Sequence, residues 1–117
     1  MDPNSDIMLL ISLLYKADLT RINECRFKEI IYKAAEDTAI LERFKRYPQY
    51  QFSKVLDETL LALVMGGMIV GEGLGCFAVR SRSLEIYGEV NFNKLTINEK
   101  EVVERVAKLI HDQCRAV

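Results

Sequence analysis

The chain reads as a mainly α-helical domain with one small β-hairpin, an α+β fold with little sheet. Three stretches carry that reading. Residues 53–65 place apolar side chains at helical spacing, the glycine-spaced run 66–81 reads as a stop followed by a hairpin, and Thr96-Ile97-Asn98-Glu99 opens a long last helix. With 117 residues, half of them hydrophobic, the chain can build one genuine core, so residues 1–117 are taken as a single domain.

Taken in order, Ser5 or Asp6 caps a helix from about Asp6 to Ala17 whose apolar residues, Ile7 to Leu14 apart from Ser12, lie on all sides. Such a helix is buried, or one side of it meets a partner. Asn23 opens a second helix with Phe27, Ile30, Ile31, Ala34 and Ala35 inward and Arg26, Glu29, Tyr32, Lys33 and Glu36 outward. Thr38 to Arg46 predicts a short third helix carrying Ile40, Leu41 and Phe44 inward, ended by Pro48.

Ser53 is the N-cap of the central helix. Val55, Leu56, Thr59, Leu60, Leu63 and Val64 form its core stripe, and Gly66 or Gly67 supplies the left-handed stop. Met68-Ile69-Val70 and Cys76 to Ser81 are the two strands of a hairpin turned by Gly71-Glu72-Gly73-Leu74-Gly75. Helix, stop and hairpin in that order form the core of a winged helix. Leu84 to Tyr87 alternates and precedes Gly88, which predicts a short extra strand. In the last helix Val102, Val103, Val106, Ala107, Leu109, Ile110 and Cys114 make a stripe wider than a small core needs. That stripe predicts self-association as a homodimer through the C-terminal helix.

The formal net charge of −1 gives no long-range attraction to nucleic acid or to an anionic membrane. Three cysteines, with no Cys-x-x-Cys pair and no signal peptide ahead of them, predict reduced thiols and a cytoplasmic protein. The apolar N-terminal run is too short to cross a bilayer, so no membrane contact is expected. Catalysis needs a constellation of groups, and the sequence offers one histidine, no phosphate-cradling loop and no nucleophile motif. No catalytic residue, metal site or cofactor is expected: His111 and Cys114 lie three apart but lack the further ligands a zinc site requires.

Binding is the remaining class. Arg43, Lys45, Arg46 and Lys54 interleave with Phe44, Tyr47, Tyr50 and Phe52, a pattern that suits a nucleic-acid backbone and its bases. Arg80 and Arg82 stand where a wing would approach phosphates. The same residues also fit a connection whose aromatics fill the core while its cations stay wet. The outward face of the central helix speaks for protein instead. Beside Lys54 it presents Asp57, Glu58, Leu61 and Met65, where a base-reading helix brings arginine, lysine, asparagine or glutamine. Carboxylates repel phosphate, and an apolar patch with a polar rim suits a protein partner.

The first helix LLISLLYKAD, the connection FKRYPQYQFSK and the block LDETLLALVMGGMI with its hairpin resemble the Panacea/SocA-type antitoxin and adaptor domains over roughly residues 6 to 80. Where that family commonly has a Gly-Pro step ahead of the serine, this chain has Tyr50-Gln51-Phe52. The resemblance implies regulation through binding of DNA or of another protein, with no catalytic residues to carry over. The expectation is therefore a non-enzymatic, winged-helix-like regulatory module acting mainly through a protein partner. The alternative is a winged-helix transcription regulator that binds DNA.

Overall fold

In the computed structural model, which describes residues 3–79 and 81–116, helices dominate and three short strands form one antiparallel sheet. The chain runs α1 (Pro3–Ala17), β1 (Arg21–Asn23), α2 (Glu24–Asp37), a 3₁₀ segment (Ala39–Phe44), α3 (Lys54–Met65), β2 (Ile69–Gly73), β3 (Cys76–Val79), α4 (Ser81–Asn93) and α5 (Ile97–Gln113). The sheet order is β1-β3-β2, with α2 and α3 between β1 and the hairpin.

α1 is the axis of the core. Leu10, Leu13, Leu14 and Ala17 are fully buried and Ser12 is turned inward with its Oγ donating to Met8 O at 2.9 Å, so the helix is enclosed nearly all round by α4, α5 and α3. A hydroxyl that bonds its own helix is not left unpaired on burial. α4 comes closest at Gly88, where a Cβ would run into the Tyr15 side chain. The segment expected as a strand at Leu84–Tyr87 is instead helical, part of α4. Leu84, Gly88, Asn91 and Phe92 recur at helical spacing and form its buried face against α1.

α2 begins where expected, with the Asn23 side chain accepting the Arg26 amide, and buries Phe27 edge-on to Phe77 at 5.6 Å. Tyr32, expected on the wet face, is buried instead, because its hydroxyl accepts the Ser53 amide at 3.4 Å beneath α3. α3 starts on Ser53, whose Oγ accepts the Leu56 amide at 3.1 Å. It ends in a paired cap: Met68 N–H donates to Leu63 O and Gly67 N–H to Val64 O, with Gly67 at φ 75°.

The expected hairpin is present, its return strand ending at Val79 rather than Ser81. β1 was not expected: three residues carry no periodicity of their own, and they are strand because β3 pairs with them. The outer edge of β1 is closed by the chain end, where Asn23 N–H donates to Cys114 O at 2.7 Å and Ala116 N–H to Arg21 O at 3.2 Å. α5 opens with the full capping box of Thr96 and Glu99. Val103, Val106, Ala107, Ile110 and Cys114 of its stripe are buried against α1 and α2, which leaves Leu109 as the exposed member. Those five positions of the stripe are core.

Candidate functional site

The outer face of α3 is open. Leu61, Val64 and Met65 are 57%, 43% and 81% exposed, one apolar patch at i, i+3 and i+4. Lys54 and Glu58 are exposed beside it and Asp57 is half-buried, so Asp57, Glu58, Leu61 and Met65 share one surface, as the sequence predicts. Val64 corrects the expected core stripe: neither α1 nor α5 extends over the last turn of α3, and the residue joins the exposed patch. An uncovered patch of this kind is more often an interaction surface than a neutral one.

Beside the patch lies an open groove of about 230 Å³, floored by Leu60, Ile69 and Phe77 and walled by Leu61 and Val64. Its mouth is ionic. Lys28 Nζ lies 3.0 Å from Asp57 Oδ1 and 3.6 Å from Glu24 Oε2, and the ammonium covers an oxygen that solvent does not reach. Desolvation pulls the Lys28 pKa down, yet the bond to Asp57 and the charges of Asp57, Glu24 and Tyr32 together outweigh it, so the value ends above the ordinary 10.5. Lys28 is a fixed cation shared by two carboxylates, which leaves this mouth one negative charge in surplus.

Four of the residues expected to contact nucleic acid are engaged in ion pairs. Arg43 is committed to Asp6, a carboxylate buried under α1's first turn, at 2.9 Å. Lys45 faces Glu42 at 3.9 Å, Lys54 faces Glu58 at 3.8 Å, and Arg46 lies 3.6 Å from Glu36 and over the Tyr32 ring. Arg80 lies outside the described residues, and Arg82 stands exposed in the first turn of α4 rather than on the wing. Phe44 fills the core, but Tyr47, Tyr50 and Phe52 do not: they cluster on the surface with ring centroids 5.7 to 6.3 Å apart. A closed loop holds them there, with Tyr47 N–H donating to Phe52 O at 2.9 Å and Gln51 at φ 61°.

Elsewhere the surface offers less chemistry. A groove of about 440 Å³ between α2 and α5 is lined by Ile30, Ala34 and Leu109 with Lys33, Asp37 and Arg105 around them. Among the described residues no three His, Cys, Asp or Glu side chains group to hold a metal ion. His111 is engaged in the fold: its Nδ1 lies 2.7 Å from Ala17 O and its Nε2 3.3 Å from Arg115 Nη2. A further apolar strip, Ile86, Tyr87 and Val90, lies on the outer face of α4; a strand over Leu84–Tyr87 does not predict it, because the three share a face only at helical spacing. Among the described residues no helix is long and apolar enough to cross a membrane. No protein-family model, curated protein or solved structure matches the chain.

Proposed function

We propose that the chain is a non-enzymatic regulatory module of the cytoplasm that acts by binding a protein partner through the outer face of α3, in the antitoxin- or adaptor-like manner its resemblance implies. One observation carries this reading. The helix a winged-helix protein would turn to DNA presents Leu61, Val64 and Met65 with Asp57 and Glu58, and its single lysine faces Glu58. Burying that patch on a partner contributes roughly 25 cal/mol per Å² of apolar surface removed from water. Approaching a duplex instead brings two carboxylates towards phosphate.

The test is Leu61→Glu combined with Met65→Glu, compared with wild type by thermal melting and by affinity capture from the source cells. Both side chains are exposed, so Tm is expected to move by no more than about 3 °C while the captured partner is lost. Retained capture with an intact fold rejects α3 as the contact. The second reading, a DNA-binding regulator, draws on the winged-helix order and on Lys54 and Arg82. It requires duplex affinity that falls steeply between two salt concentrations and drops further in Lys54→Ala and Arg82→Ala.

A further inference from the structure

The two edges of the sheet are treated differently. Val79 donates its amide to Thr20 O at 2.9 Å, on the β1 side, so the next residue, Ala78, turns its amide and carbonyl towards β2 and pairs with Val70. Ile69 and Gly71 therefore direct their N–H and C=O groups away from the sheet. Among the described residues no backbone group of the chain reaches them. The β1 edge, by contrast, is covered by residues 114–116, which form a single antiparallel bridge between Ile22 and Arg115.

The β2 edge runs beside the groove of α3, and of its two outward-directed residues Gly71 is exposed while Ile69 is buried. Side chains of a strand laid along β2 would alternate, and those on the side of Ile69 would enter the space between Leu60, Phe77 and Val64. Gly71 leaves that approach clear, since a Cβ there would have no atom within 4 Å. The register shifts between Gly71 and Gly73, so pairing along this edge centres on Gly71. Glu24 and Asp57, sharing the single charge of Lys28, favour a cation on the incoming segment. A second copy of β2 would bring no cation and little to fill the groove, because Ile69 is followed at the alternate positions by Gly71 and Gly73.

We propose that the β2 edge and the groove beside it bind an extended segment of a partner protein by strand addition. The segment carries apolar residues at alternate positions and a lysine or arginine facing the mouth formed by Glu24 and Asp57. This rests on the protein-binding reading of α3 and names the form its partner takes.

The probe is a random peptide library displayed on phage and selected against the full chain, followed by synthetic versions of the selected peptides in fluorescence anisotropy. Alternating apolar residues with a flanking cation are expected. N-methylation at alternate positions should weaken binding at least about tenfold and at the intervening positions should not, because two edge hydrogen bonds are at stake. Gly71→Pro, which deletes an outward N–H, should weaken binding similarly. The N-methyl series leaves the protein unaltered and so stands even if that variant folds poorly. Peptides with helical spacing, weakened by Leu61→Glu but indifferent to N-methylation and to Gly71→Pro, would overturn strand addition while the α3 reading stood. Peptides indifferent to Leu61→Glu and to both backbone changes would overturn the two together. A dimer in sedimentation that Gly71→Pro converts to monomer would give the edge to a second copy and overturn the partner segment.

Discussion

Arg43 donates its Nε–H to both carboxylate oxygens of Asp6, at 2.9 and 3.0 Å, and so fastens the 3₁₀ segment to the first turn of α1. Asp6 is only 4% exposed, and the guanidinium pairs with its carboxylate there. Truncation at Arg43 leaves a buried carboxylate with the helix N-terminus as partial compensation. Arg43→Ala is expected to lower stability by about 2–3 kcal/mol in urea unfolding, and Asp6→Asn by less, because a neutral amide is cheaper to bury. A midpoint for Arg43→Ala equal to that of wild type would show that the pair contributes nothing.

Gly88 tests the α1–α4 contact. Alanine is a better helix former by about 1 kcal/mol, so on propensity alone Gly88→Ala should stabilise. The added Cβ overlaps Tyr15 at its Cβ and ring, atoms that cannot swing aside as a flexible chain end could. Packing therefore decides the sign. A net loss of about 1–2 kcal/mol is expected, read as a Tm lowered by about 4–10 °C. A raised Tm would mean that the two helices do not approach so closely.

The thiols should separate by reactivity. Cys25 is exposed and Cys114 is fully buried, where desolvation above all, with the Glu29 charge adding to it against Arg26, pushes the thiol from 9.0 to about 11. In a timed assay with a thiol reagent at neutral pH, Cys25 is expected to react at once and Cys114 only on unfolding. The unfolded chain releases this proton near pH 9 while the folded one holds it. Stability is thus full below pH 9 and lost as pH rises towards 11, by about 2–3 kcal/mol relative to Cys114→Ala, a variant that lacks the thiol. Equal pH dependence in the two proteins would contradict the burial of Cys114.

What could be read from the residues follows the range of the interactions. α3 and α5 announce themselves through local signals, Ser53 with the glycine stop and the Thr96/Glu99 capping box, and the structure has both. α4 was misread because Leu84 and Ile86 alternate and Gly88 weakens a helical reading, while the reason for that glycine, Tyr15, lies on another helix. β1 exists through its pairing with β3 and leaves no local trace. The outward face of α3 followed from periodicity, but Val64 did not, since period alone cannot tell where covering helices stop. The aromatic loop defeated composition outright: Tyr47, Tyr50 and Phe52 bury edges against one another rather than in the core. The exposed β2 edge depends on which way each amide turns, which no residue identity encodes.

α1, the most enclosed helix, is walled mainly by α4 and α5, and residues 114–116 close the sheet edge beside β1. During synthesis the first helix therefore leaves the ribosome long before its covering exists. The order of translation opposes the order of burial. Until α4 and α5 emerge, Leu10, Leu13 and Leu14 lack most of their covering, and the domain closes in a late step that joins α1 to its last two helices.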